Sequence, residues 1–88
     1  MNRLDLLLQL HQEQPNDAFT LFALAKEYEK GAQLENALKY YLQLQTINPR
    51  YVGLYYHLGK LYELLQQPTE AIAVYRAGMA VAKAAKDN

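Results

Sequence analysis

The chain has 88 residues, 51% of them apolar, with nine basic and nine acidic side chains and no net charge. A chain of that length makes one small domain, burying roughly 60–65% of the surface its unfolded form would expose. The apolar share argues against disorder, and the absence of cysteine excludes disulfides and thiolate metal centres. The even charge balance disfavours a nucleic-acid partner, which would call for a basic excess to neutralise phosphates.

Apolar residues recur at spacings of three and four from end to end, the helical period, and no stretch alternates with period two. The first helix is expected over Asn2 to Gln12, with Leu4, Leu7, Leu8 and Leu10 on one face. This apolar run is short, carries Asp5 and lacks a small-residue cleavage site. It therefore reads as neither a secretion signal nor a membrane span. A cytoplasmic domain with no membrane partner is the expectation. Pro15 stops the first helix, and Asn16 or Asp17 is placed to cap the second.

The second helix carries Leu21, Leu24, Ala25 and Tyr28 on its core stripe, and Gly31 is expected to end it in the left-handed conformation. A third helix follows over Leu34 to Ile47, packing Ala37, Leu38, Tyr41, Leu44 and Ile47, and Asn48-Pro49 terminates it. The fourth carries Leu54, Tyr55, Leu58, Gly59 and Tyr62, with Pro68 at its end. The fifth is expected over Thr69 to Lys86. Short loops make successive helices antiparallel neighbours.

The pattern repeats. Leu24-Ala25-Lys26-Glu27-Tyr28-Glu29 returns 34 residues later as Leu58-Gly59-Lys60-Leu61-Tyr62-Glu63, and Ala37 and Tyr41 return as Ala71 and Tyr75. A fixed period of this length is the mark of stacked helical units. At these residues the chain resembles the tetratricopeptide repeat family, whose unit is a helix pair with small and aromatic residues at set positions. The resemblance implies an all-α fold, an α-α superhelix or solenoid of about five antiparallel helices. Residues 1–17 would be a half-repeat helix, 18–51 a first repeat and 52–85 a second, within a single domain spanning 1–88. In the family's geometry Ala25 and Gly59 face Ala37 and Ala71, where larger side chains would overpack. Departures from the family pattern are Leu44 in place of alanine, Lys83 in place of the closing proline, and Leu21 and Tyr55 at the position usually resembling tryptophan.

The resemblance also implies a function. In the family, the first helices of successive repeats line a concave groove that holds a protein or peptide. Carried over, the groove positions are Phe19, Phe22, Lys26, Glu29 and Lys30, then Gly53, Tyr56, His57, Lys60, Glu63 and Leu64. Phe22 with Tyr56 would give an aromatic anchor, and Lys26 with Lys60 steering charge for an acidic group. The alternative for the lysines is a solvated helix face, paired with Glu29 and Glu63 at i,i+3 for about 0.2–0.5 kcal/mol each. A clamp for a chaperone's C-terminal carboxylates is not supported, because Phe22, Lys26 and His57 stand where that clamp places a base and asparagines.

Nothing points to catalysis. Serine and cysteine are absent, no glycine-rich phosphate loop occurs, and the three threonines lack a base partner. His11 and His57 stand apart without further converging ligands, so neither a metal nor another cofactor is expected. The last helix is more apolar than one buried stripe needs. Ile72, Tyr75, Met79 and Val81 are therefore candidates for a two-fold homodimer contact. Self-assembly, or service as a regulatory segment of a larger complex, is the alternative to a peptide-binding scaffold.

Overall fold

The computed structural model describes residues 1–86; residues 87 and 88, the end of the expected 1–88 domain, lie outside the described residues. Five helices follow in order: α1 (Arg3–Glu13), α2 (Ala18–Lys30), α3 (Leu34–Ile47), α4 (Val52–Leu64) and α5 (Pro68–Lys86). No strand occurs among the described residues. The expected all-α architecture is present; the bounds given for the first, third and fifth helices hold within one residue, whereas α4, read as ending at Pro68, stops at Leu64 and Pro68 opens α5. The chain forms two compact units, Met1–Asn48 and Pro49–Asn88.

In the first unit, α2 packs against both α1 and α3. Asp17 rather than Asn16 caps α2. Its carboxylate accepts from the Thr20 amide at 2.9 Å and the Thr20 hydroxyl at 2.7 Å. Those two bonds, the hydroxyl's first, hold the Asp17 carboxyl below the usual carboxylate range. Leu21, Leu24, Ala25, Ala37, Tyr41 and Leu44 are fully buried between the helices. Each large side chain among them contributes roughly 1.5–3 kcal/mol by leaving water. Tyr28 stacks on Tyr40 with centroids 5.7 Å apart, and the His11 ring meets Tyr40 edge-on at 5.5 Å. His11, in the last turn of α1, is therefore half-buried where α1 meets α3. Arg3 ties α1 to α2 through Glu27 at 2.9 Å.

Two packing expectations need correction. Leu7 is the buried residue of α1, whereas Leu10 is 40% exposed and Leu6 51%. α1 packs mainly on α2 and buries a narrow stripe, and these two leucines fall off it. Ile47, expected inside, is 37% exposed because α3 ends there, with Asn48 as its cap.

The second unit is a hairpin of α4 and α5 with Leu54, Tyr55, Leu58, Leu61 and Ala71 at its centre. Its helices interlock through missing side chains. A Cβ placed on Gly59 would lie 2.2 Å from the Tyr75 ring, and one on Gly78 would lie 2.5 Å from the Tyr55 Cβ. The space beside Gly59 is thus taken by the Tyr75 ring, so the small residue makes room for an aromatic side chain. Above this contact the Tyr75 hydroxyl donates to Glu63. The same bond joins the first unit's pair, Tyr41 donating to Glu29 at 2.8 Å. Burial first, and then the carboxylate, push the Tyr41 hydroxyl far above its ordinary pKa.

The turn after each first helix also repeats, and it corrects the reading of Gly31. That residue has φ −85°; the left-handed position is the next one, Ala32, at φ 61°. Ala32 N–H donates to Glu29 O and Gln33 N–H to Tyr28 O, the paired bonds of a Schellman turn. Thirty-four residues on, Gln66 at φ 59° does the same, with Gln66 N–H to Glu63 O and Gln67 N–H to Tyr62 O. Neither left-handed residue is glycine, so both turns carry the steric cost of a Cβ there.

Three outcomes follow from this packing. Ala32→Gly should raise stability by about 1 kcal/mol, seen as a higher urea midpoint at unchanged m-value. Gly78→Ala should lower it by about 1–3 kcal/mol, because its neighbour is a Cβ that no rotamer change can move aside. The third concerns alkali. The Tyr75 hydroxyl is raised from 10.0 to about 12, by desolvation first and by Glu63 next. A raised pKa favours the folded state while the ring stays neutral. This contribution is complete below the unfolded pKa of 10.0 and is lost as pH rises toward 12. Thermal melts between those pH values should show a falling midpoint, with a shallower fall in Tyr75→Phe.

Candidate functional site

The outer surface of α2 begins with Phe19, 64% exposed, followed one turn later by Phe22. Phe22 is half-buried and packs edge-on against Tyr41 at 6.1 Å. The ring is thereby held by α3 while part of it reaches solvent. Lys26 lies one further turn along, half-buried, and Lys30 closes the helix in the open. These two lysines line a shallow polar hollow of about 420 Å³ with Glu27 and Glu29. Both carboxylates have partners from other helices: Glu27 holds Arg3, and Glu29 accepts from Tyr41.

On α4 the matching positions are more open. Tyr56 is 62% exposed, and its ring meets the half-buried His57 edge-on at 5.4 Å. Lys60, exposed one turn later, reaches Glu63 at 3.9 Å, a loose pair on a solvated face. Glu63 also accepts from Tyr75, so its charge is shared between α4 and α5. Leu64, 60% exposed, ends the helix, and nothing crowds Gly53 near its start. Each first helix therefore carries the same couple, an aromatic ring and an ammonium group four residues on: Phe22 with Lys26, and Tyr56 with Lys60.

The candidates on α5 separate. Ile72 and Met79 are open to solvent at 52% and 67%, while Tyr75 and Val81 are half-buried. Met79 and Tyr75 join Val52, Tyr55, Tyr56 and Ala82 around an apolar hollow of about 340 Å³ between α4 and α5. Sequence reasoning saw the apolar excess of α5 but missed this hollow. Among the α4 residues that wall it, Tyr55 looked like a core position and Tyr56 like a groove position, and Gly78 of α5 lies with them in its lining.

Among the described residues no group of three or more His, Asp or Glu side chains is placed to hold a metal. No described helix is long and apolar enough to cross a membrane.

Comparison with known proteins agrees with the two-unit pattern. A tetratricopeptide repeat family model matches residues 20–51 and again 52–84. None of the curated proteins matches this chain. Among solved structures, the crystal structure of a tetratricopeptide repeat domain protein from Salinibacter ruber is 46% identical over 76% of this chain and 74% of that one, with a TM-score of 0.73. A solution structure of a tetratricopeptide repeat domain protein from the same organism gives 46% identity and a TM-score of 0.75, covering 80% of this chain and 71% of the other. The crystal structure of MamA superposes with a TM-score of 0.93 over 97% of this chain, which spans 50% of that protein. At 18% identity, that likeness is one of fold alone. With the family model covering most of its length and both helix pairs built to one plan, the chain belongs to the tetratricopeptide repeat family.

Proposed function

We infer that the chain is a non-enzymatic scaffold that binds a protein or peptide through the outer surfaces of α2 and α4, with Phe19, Phe22, Tyr56 and His57 as apolar and aromatic contacts. Lys26, Lys30 and Lys60 supply the charge, and Glu63 sits at the edge. The observation that carries this reading is the repeated aromatic–lysine couple, which leaves Tyr56 62% exposed on a helix whose inner face is fully packed. A large exposed ring contributes little to the fold it stands on, whereas rings of this kind dominate binding when a partner desolvates them. The ammonium group one turn away selects for an acidic residue and speeds encounter. The ligand chemistry is an extended or helical peptide with one large apolar anchor and a nearby carboxylate.

Peptides selected from a random display library against the immobilised protein should be rich in such pairs. Lys26→Glu with Lys60→Glu should weaken their capture by at least about tenfold, about 1.4 kcal/mol, with an unchanged circular dichroism spectrum. Equal capture by that double variant would remove the lysines from the site. Equal capture by Tyr56→Ala would remove the aromatic anchor.

A further inference from the structure

We propose that copies of this chain associate head to tail, the leucine ridge of α1 in one copy entering the apolar hollow between α4 and α5 of the next. This goes beyond peptide capture, and it replaces the two-fold contact through α5 suggested by composition.

The ridge is a surface the fold leaves open. Leu6 and Leu10, four residues apart on α1, are 51% and 40% exposed. Glu13, exposed and three residues beyond Leu10, continues the same stripe, and Asp5 stands exposed beside it. Arg3, the other charged residue of α1, is engaged by Glu27. The ridge is thus two apolar knobs with anionic neighbours.

The hollow has the opposite character. It is walled by Val52, Tyr55, Tyr56, Tyr75 and Met79, and about 340 Å³ accommodates side chains of leucine size. On the surface of α5, Arg76 lies three residues before Met79 and Lys83 four after it, both exposed, so cations flank the hollow along its stripe. The sequence as a whole carries the same polarity. Residues 1–48 hold six acidic and four basic side chains, a balance of −2, and residues 49–88 hold three acidic and five basic, a balance of +2. A zero total therefore conceals two halves of opposite sign. A second copy offers the hollow both an apolar knob of fitting size and the countercharge.

Because ridge and hollow are different surfaces, the contact is heterologous. A two-fold dimer through Ile72 and Met79 would instead bring Arg76 and Lys83 of one copy against the same cations of the other, an arrangement that charge disfavours. The interface is small, so the association is weak, with a Kd on the order of 10–100 µM, and it loosens as salt screens the charges.

Sedimentation equilibrium of three proteins tests this. The wild type should show a mass rising with concentration, less steeply at high salt. Leu6→Glu with Leu10→Glu, which destroys the ridge, and Met79→Glu, which destroys the hollow, should each stay at monomer mass. All these residues are exposed, and circular dichroism should confirm both variants folded. Mixed in equal amounts, the two variants should form a complex of twice the monomer mass that grows no further, since only one intact ridge and one intact hollow remain to meet. Three results would overturn the proposal: a wild type that is monomeric at about 1 mM, well above the expected Kd; a mixture that stays monomeric; or self-association of the ridge variant equal to that of the wild type, which would return the contact to α5 alone.

Discussion

Each hairpin of this chain is closed by a tyrosine of its second helix, Tyr41 or Tyr75, whose hydroxyl donates to a carboxylate of the first, and the close fit of that ring is a steric condition. In the second unit the condition is strict. Gly59 leaves its Cβ position to the Tyr75 ring, and Gly78 leaves its own to Tyr55, so two aromatic side chains and two absences mesh across one interface. Once the ring lies there, its hydroxyl falls within reach of Glu63, as Tyr41 falls within reach of Glu29 in the first unit. The polar tip of a largely packed ring then has an acceptor, and the pair of helices has one preferred register. The outer residues, Tyr56 and Lys60 among them, take their places on the surface of α4 from that register.

The fold was nearly all legible before any coordinates. Helical spacing, the prolines at residues 15, 49 and 68 and the 34-residue period mark out five helices, because each is a local property of the chain, although α4 ends at Leu64, short of the proline read as its stop. What escaped was set by contacts or by fine backbone geometry. Gly31 looked like the left-handed residue since glycine bears no penalty there, yet the hydrogen-bond pattern places Ala32 in that position, and Gln66 in its repeat. Leu10 looked buried because leucine favours the interior, but α1 has too little to pack on to cover it.

The candidate site was legible in a different sense. The repeat gave the positions, and the structure supplied their state: Tyr56 open, Phe22 propped on Tyr41, Lys60 loosely paired, Glu63 shared. The hollow of the second unit could not be read in this way. Its wall is drawn from two helices, Val52, Tyr55 and Tyr56 from α4 and Tyr75, Met79 and Ala82 from α5, and only their packing brings those side chains around one space.

The tyrosine–carboxylate bonds also make the protein its own optical reporter. With eight tyrosines, two phenylalanines and no tryptophan, phenol rings supply nearly all of its intrinsic emission. A carboxylate accepting from a phenol drains the excited state by drawing off its proton, so Tyr41 and Tyr75 are dim while Glu29 and Glu63 hold them. Opening either hairpin separates the partners and brightens the ring, so each unit carries a native indicator of its own closure.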